Sequence, residues 1–373
     1  MRQNIAVAVT AFALLSALTG CSVPAPVATP TPTASPEPTP AASGPLTCDD
    51  LVTVDLVAAA LEGADGVPVE PVAAANRLDV FDAVLLEGAG GLPCSWRVGG
   101  GMPEYNAPSD WAYLRIDVLP GAADQWVPIQ LGDAPSDVTR EIAGVEASVA
   151  GGDPGWSISA PVGDSWVVAS ISAAALTSTG GRFAGLGADV IVDRLADVAE
   201  AAFTTLQQAT PDQLDWPALE LRQADAICNG GLDEQGIVAA LQLPAGAVVE
   251  YTASDPTTEP PMSFAGAVGA AARAFTCELE ADDGTQLWWL TITAARGLSP
   301  LFDRYSEPDA DVALSPLELA DAPRDAEALV IGSGSGSGDG RASTVYLSLG
   351  GTLYEIQGDR APEVAQAIVA QTY

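Results

Sequence analysis

Val57-Ala58-Ala59-Ala60-Leu61 begins nine residues after Cys48, and Ile237-Val238-Ala239-Ala240-Leu241 begins nine residues after Cys228. Each stretch reads as a short helix that starts soon after a cysteine. The correspondence continues outward. A second cysteine follows the first by 46 positions in one case (Cys94) and by 49 in the other (Cys277). After Cys94 the alternation at Trp96 and Val98, a Gly-rich stretch and Trp111-Ala112-Tyr113-Leu114-Arg115-Ile116 predict a hairpin. After Cys277, Leu279, the Asp282-Asp283-Gly284 turn and Trp288-Trp289-Leu290-Thr291-Ile292 predict another.

Each half then offers a short helical stretch, near Ala122 to Ile129 and near Leu298 to Tyr305. Further strands follow in the first half near Ala147, at Trp156 to Ala160 and at Ser165 to Ser172. Their counterparts are Ala328 to Ile331, Ser343 to Leu349 and Thr352 to Gln357. A helix closes each half. Over Asp189 to Leu206, residues Ile191, Leu195, Val198 and Ala202 share one helical face. Pro362 to Gln371 is the shorter counterpart, with proline near its start, where a helix tolerates it.

The fold class read from this pattern is α+β. Two tandem related domains are expected, residues 46–210 and 216–373. Each is an antiparallel sheet packed with helices and closed by one disulfide. Four cysteines allow three pairings. The parallel between the halves selects Cys48 with Cys94 and Cys228 with Cys277, so that each domain closes its own bridge. Exported chains favour such bridges.

Export itself is read from the N-terminus. Arg2 is followed by an apolar run from Ile5 to Leu18, short for a permanent membrane helix but of signal-peptide length. Leu18-Thr19-Gly20-Cys21 then resembles the lipobox of bacterial lipoproteins. The resemblance implies cleavage after residue 20, a signal peptide over 1–20, and diacylglycerol on the Cys21 sulfur. Residues 21–45 form a linker with prolines at 24, 26, 30, 32, 36, 38, 40 and 45, interspersed with Thr, Ala and Ser. Such a chain favours extended polyproline II and would hold the folded body on the order of 70 Å from the lipid. Its threonines are candidate O-glycosylation sites. The expected location is the extracytoplasmic face of the cell membrane, held by the lipid on Cys21.

The outline Cys48-Asp49-Asp50-Leu51 followed by Cys94-Ser95-Trp96 resembles a family of small actinobacterial surface lipoproteins. The second half departs from it: Cys228-Asn229-Gly230-Gly231-Leu232 shifts the leucine, and Leu279 stands where tryptophan would. The resemblance implies an α+β sandwich-like domain in the envelope and no particular activity.

Composition narrows the function. The formal net charge is -35, with 14 basic and 49 acidic side chains and no histidine. Every basic side chain is arginine. A surface this acidic repels nucleic acid. Lack of histidine excludes a Ser-His-Asp triad, a Cys-His dyad and His-ligated zinc, and lack of lysine excludes Schiff-base chemistry. No cofactor, metal or catalytic residue is assigned. Pro308-Asp309-Ala310-Asp311 lacks the glycine and glutamate of a calcium loop and reads as a turn. The Gly332 to Gly340 run has no phosphate motif and reads as a hairpin loop. Trp288-Trp289 lies on a strand, so one ring points inward and the other outward.

The reading that follows is a non-enzymatic binding or interaction module of the envelope, with an envelope protein or cell-wall partner. Two alternatives stay open. One is a carrier of a lipid or small ligand in an apolar pocket. The other is a hydrolase working through two carboxylates.

Overall fold

The computed structural model describes residues 44–74, 80–99, 110–132, 134–152, 155–173, 181–223, 234–243, 248–255, 260–282, 287–306, 314–331 and 342–372. Cys21, Cys228, the 308–311 turn and the 332–340 run lie outside them.

The N-terminal half begins with α1 (Cys48–Leu51) and α2 (Val54–Ala60). Thr47 and Asp50 form a capping box on α1, and the Thr53 hydroxyl accepts from the Leu56 N–H to start α2. Next come β1 (Val72–Ala73), α3 (Val80–Gly88), β2 (Leu92–Val98) and β3 (Ala112–Leu119). A small ribbon, β4 (Gln130–Leu131) with β5 (Ala134–Pro135), precedes β6 (Thr139–Ile142), β7 (Val145–Gly152), β8 (Gly155–Val162) and β9 (Ser165–Ala173). Helix α4 (Ala188–Gln208) closes the half.

The C-terminal half runs α5 (Glu234–Leu241), β10 (Val248–Ser254), α6 (Phe264–Ala271), β11 (Phe275–Asp282) and β12 (Leu287–Arg296). A 3-10 helix (Ser299–Ser306), β13 (Leu314–Pro316), β14 (Glu327–Ile331), β15 (Ala342–Leu349), β16 (Thr352–Asp359) and α7 (Ala361–Thr372) complete it.

Two seven-stranded antiparallel sheets result, and their strand orders match. The first is β1-β2-β3-β9-β8-β7-β6 and the second β10-β11-β12-β16-β15-β14-β13. In each, a three-stranded and a four-stranded meander meet through their last strands. The mixed α+β class, the two sheets and the closing helices agree with the sequence pattern. The helical stretch expected at Ala122 to Ile129 is only a 3-10 turn, Ala123–Gln125. Pro128 explains the shortening, because the residue before a proline is driven out of the helical region.

One face of each sheet packs on its own helices. In the first, Leu114, Ile116 and Val118 of β3 and Ile158 of β8 meet Ile191, Leu195, Val198 and Ala202 of α4. In the second, Cys277, Leu290, Ile292 and Val345 meet Val364, Ala365 and Ile368 of α7. The Cys48–Cys94 disulfide joins α1 to β2 across a Cα separation of 5.5 Å. Cys277 is disulfide-bonded as well. A bridge closing so long a loop contributes up to about 4 kcal/mol.

A third apolar core lies between the halves. It combines Phe81, Val84 and Leu85 of α3 with Val268 of α6, Phe302 and Tyr305 of the 3-10 helix, Trp166 of β9 and Tyr346 of β15. Here α3 meets Leu298 so closely that a Cβ at Gly88 would collide with the leucine Cδ2. The segment after α4 straps the halves together. The Trp216 indole N–H donates to the Leu46 carbonyl at 2.7 Å, the Leu219 N–H to Gly88 at 2.9 Å, and the Arg222 N–H to Arg296 at 3.1 Å. Residues Ser43–Tyr373 accordingly form one compact unit.

Candidate functional site

Strand β3 is buried on both faces although Arg115 and Asp117 alternate with Leu114, Ile116 and Val118 as on a half-exposed strand. The face toward α4 is wholly apolar. The opposite face carries Tyr113, Arg115, Asp117 and Leu119. Strand register extends this face into rows. Arg115 lies opposite Ser170 of β9, and Ser170 opposite Ser157 of β8. Asp117 lies opposite Val168, Val168 opposite Ser159, and Ser159 opposite Ser148 of β7. Leu119 lies opposite Trp166. A patch of hydroxyls and one ion pair therefore sits on a sheet face that the second half covers.

Asp117 is only 3% exposed, and its Oδ2 is ion-paired with Arg115 Nε. Burying this pair costs several kcal/mol of desolvation per ion, which the mutual attraction must offset. The Ser159 hydroxyl accepts from two indoles, Trp166 Nε1 at 2.8 Å and Trp126 Nε1 at 3.1 Å. The Ser148 hydroxyl accepts from the Ile129 N–H at 3.1 Å. These bonds pin Trp126 to Gln130 against the sheet as one wall of a cavity. The opposite wall is the first turn of α6. There the Ser263 hydroxyl caps the helix by accepting from Gly266, and the Phe264 ring meets Trp166 edge-on at 5.7 Å. Asp82 of α3 completes the lining.

The space between these walls is about 300 Å³ and is partly open to solvent. A wider cleft of about 950 Å³ lies beside it, and Val127 lines both. Asp124 and Arg273 are the charged side chains of the cleft.

The same place in the second half is filled. Cys94, Ile116, Ala169 and Ile158 lie in one row, as do Cys277, Ile292, Ile356 and Val345. Superposing these rows puts Tyr346 where the first half has Ser159, and Thr293 where it has Asp117. Tyr346 is buried against Tyr305 with ring centroids 4.2 Å apart. The Thr293 hydroxyl shares a hydrogen bond with that of Thr276 at 3.1 Å.

The residues singled out in the sequence lie elsewhere. Cys48 and Cys94 are committed to their disulfide. Trp288 is buried and Trp289 is 44% exposed, as strand alternation requires, and neither lines the small cavity or the cleft beside it. Among the described residues no group of three acidic or cysteine side chains is placed to hold a metal ion. No helix among them is long and apolar enough to cross a membrane. The groups that do converge, Arg115, Asp117, Ser157, Ser159 and Ser170, form no motif. Their only sequence signal is polarity recurring at every second position of β3, β8 and β9. No protein-family model and no curated protein matches the chain.

Proposed function

We propose that this chain is a lipid-anchored extracytoplasmic lipoprotein of the cell envelope, and that its folded body is a non-enzymatic binding module. Cys21 is the anchor, the proline-rich linker to residue 45 is the spacer, and the small cavity over the first sheet receives a polar ligand. The carrying observation is the contrast between the halves: a cavity lined by an ion pair and serines in one, packed tyrosines in the other. A core with a purely structural role is better filled by apolar rings.

The matched strand orders support reading the halves as a tandem duplication. On that reading Cys228 is the partner of Cys277. The absence of histidine and lysine from the sequence supports a binding role over acid–base or nucleophilic catalysis. The charged and hydroxyl lining argues against an acyl chain as cargo, because such groups would lose their hydration without gaining partners. One observation favours the hydrolase reading: Asp82 and Asp117 line the same cavity.

The test is made on the full chain, produced in a bacterium that processes lipoproteins and fed an alkyne-tagged fatty acid. Lipid label and membrane partition are expected in the parent, and loss of the label in Cys21→Ala. Native mass spectrometry of the purified lipoprotein is expected to show a bound small polar molecule that leaves on denaturation. Label persisting undiminished in Cys21→Ala would sink the anchor. A bound lipid in addition to the anchor would put the carrier reading first. Turnover of an aryl glycoside that vanishes in Asp82→Asn would do the same for the hydrolase.

A further inference from the structure

We infer that the small cavity is a subsite for one ring of a neutral polyhydroxylated ligand, that is, a sugar residue or cyclic polyol. The inference rests on the binding-module reading and names the ligand class of that site.

Size sets the first limit. At about 300 Å³ the cavity is at the lower end of ligand pockets and suits a single small ring. A peptide segment or nucleotide would overflow it.

Charge sets the second. The lining holds two carboxylates, Asp82 and Asp117, against one guanidinium, Arg115, which already pairs with Asp117. No surplus positive charge is offered to a phosphate or carboxylate. The chain as a whole, at -35, opposes an anion further.

Hydrogen-bonding chemistry sets the third. Arg115 can only donate and ionised Asp117 can only accept, while Ser157 and Ser170 can do both. Ser170 lies between Arg115 and Ser157 in a single row across three strands. A row of one donor and two hydroxyls, beside an acceptor one row away, matches neighbouring ring hydroxyls that each donate once and accept twice. A ligand with only acceptors or only donors would match only part of this mixed set, whereas hydroxyls match all of it.

The remaining wall fits the same class. Phe264 and Val268 of α6 supply apolar surface opposite the hydroxyls, and Val168 adds some between them on the sheet. A sugar ring has a C–H face suited to such a surface and polar edges suited to the serines. Ser159 is closed as an acceptor, because its oxygen already accepts from both indoles, and offers a ligand only its O–H as a donor. Its part is to hold Trp126 and Trp166 in place as wall. The adjoining cleft, which shares Val127 with the cavity, gives the rest of a longer saccharide somewhere to lie.

The full-length lipoprotein is purified in a polyoxyethylene detergent, since glycoside detergents would compete. It is titrated by calorimetry and saturation-transfer NMR with the methyl glycosides of glucose, mannose, galactose, arabinose and N-acetylglucosamine, and with myo-inositol. Glucose 6-phosphate and glucosamine serve as charged controls. Saturable binding of at least one neutral probe is expected, with a Kd on the order of 1 mM for a single ring. Ser170→Ala removes one hydroxyl from a half-buried position and should weaken binding about fivefold while the melting curve stays unchanged. Ser170→Phe fills the cavity and should abolish binding, with circular dichroism checking that the variant folds.

Binding confined to a charged control overturns the ligand class and leaves the binding module standing. So does a co-purified non-sugar molecule that Ser170→Phe displaces. Neutral probes that bind Ser170→Ala and a folded Ser170→Phe as well as the parent overturn the site. No saturable binding of any probe, together with no co-purified small molecule, overturns both the inference and the reading beneath it.

Discussion

The face of the first sheet turned away from α4 and the face of the second turned away from α7 are built on the same strand order, and they end differently. In the second, Tyr346 and Tyr305 fill the space with buried rings. In the first, the position matching Tyr346 is Ser159, whose hydroxyl holds two indoles aside, and a cavity remains. Backbone topology therefore does not decide whether this layer is a core or a pocket. The side chains at a few register positions decide it. A ring delivers dispersion contacts and apolar burial, whereas a serine spends the same position on hydrogen bonds and leaves volume.

The largest effect is expected from making the second half resemble the first. Tyr346→Ser removes a fully buried ring from the shared core and should cost about 3–5 kcal/mol in denaturant unfolding. A loss under about 1 kcal/mol would mean that the tyrosines pack loosely and that the contrast between the faces is not energetic.

The reverse change acts on the ion pair. Arg115→Met leaves the Asp117 carboxylate buried without its guanidinium, and a loss of about 3 kcal/mol is expected. Adding Asp117→Leu should bring stability back to within about 1 kcal/mol of the parent, because an apolar pair needs no desolvation. Equilibrium unfolding of the single and double variants measures both. A double variant as unstable as the single one would show that the pair stabilises the fold rather than serving the cavity.

The smallest effect concerns the entry to the first half. The Thr47 side chain, and then its backbone N–H, donate to Asp50 and hold its carboxyl below the ordinary value of 3.8. A carboxyl depressed in the folded state stabilises above its unfolded pKa and loses that contribution as pH falls through the lower folded value. The stability gap between the parent and Asp50→Asn should therefore be constant above about pH 5 and shrink below about pH 4. A gap that widens on acidification would refute the capping role.

Much of the layout was legible along the chain. The periodicity of α4 pointed to Ile191, Leu195, Val198 and Ala202, all of them buried. The strand expected around Leu279 is β11, which extends to Asp282 and turns Cys277, Leu279 and Ala281 inward and Glu278, Glu280 and Asp282 outward. Less legible were α3 and α6. The run Phe264 to Ala272 is apolar nearly all round, so periodicity could not assign it a face, although Ser263 supplies the N-cap signal. The two-residue β1 is too short to alternate, and β10 is an edge strand with little burial to pattern it. The connecting segment around Trp216 gave no hint that it straps one half to the other.

The cavity was least legible of all. On β3, Arg115 and Asp117 alternate with apolar residues, as do Ser157 and Ser159 on β8, a pattern that by itself fits the solvent side of a half-exposed strand. The sequence by itself determined the α+β class, the closing helices, the central strands of both sheets and the Cys48–Cys94 bridge, because periods of two and 3.6 residues and cysteine spacing are local properties of the chain. The tertiary structure alone decided what covers the second face of each sheet, because burial there depends on docked segments outside the sheet, such as α6 over Trp166. Only when α6 docks over Trp166 do the serines and the ion pair change from a solvated surface into the wall of a pocket.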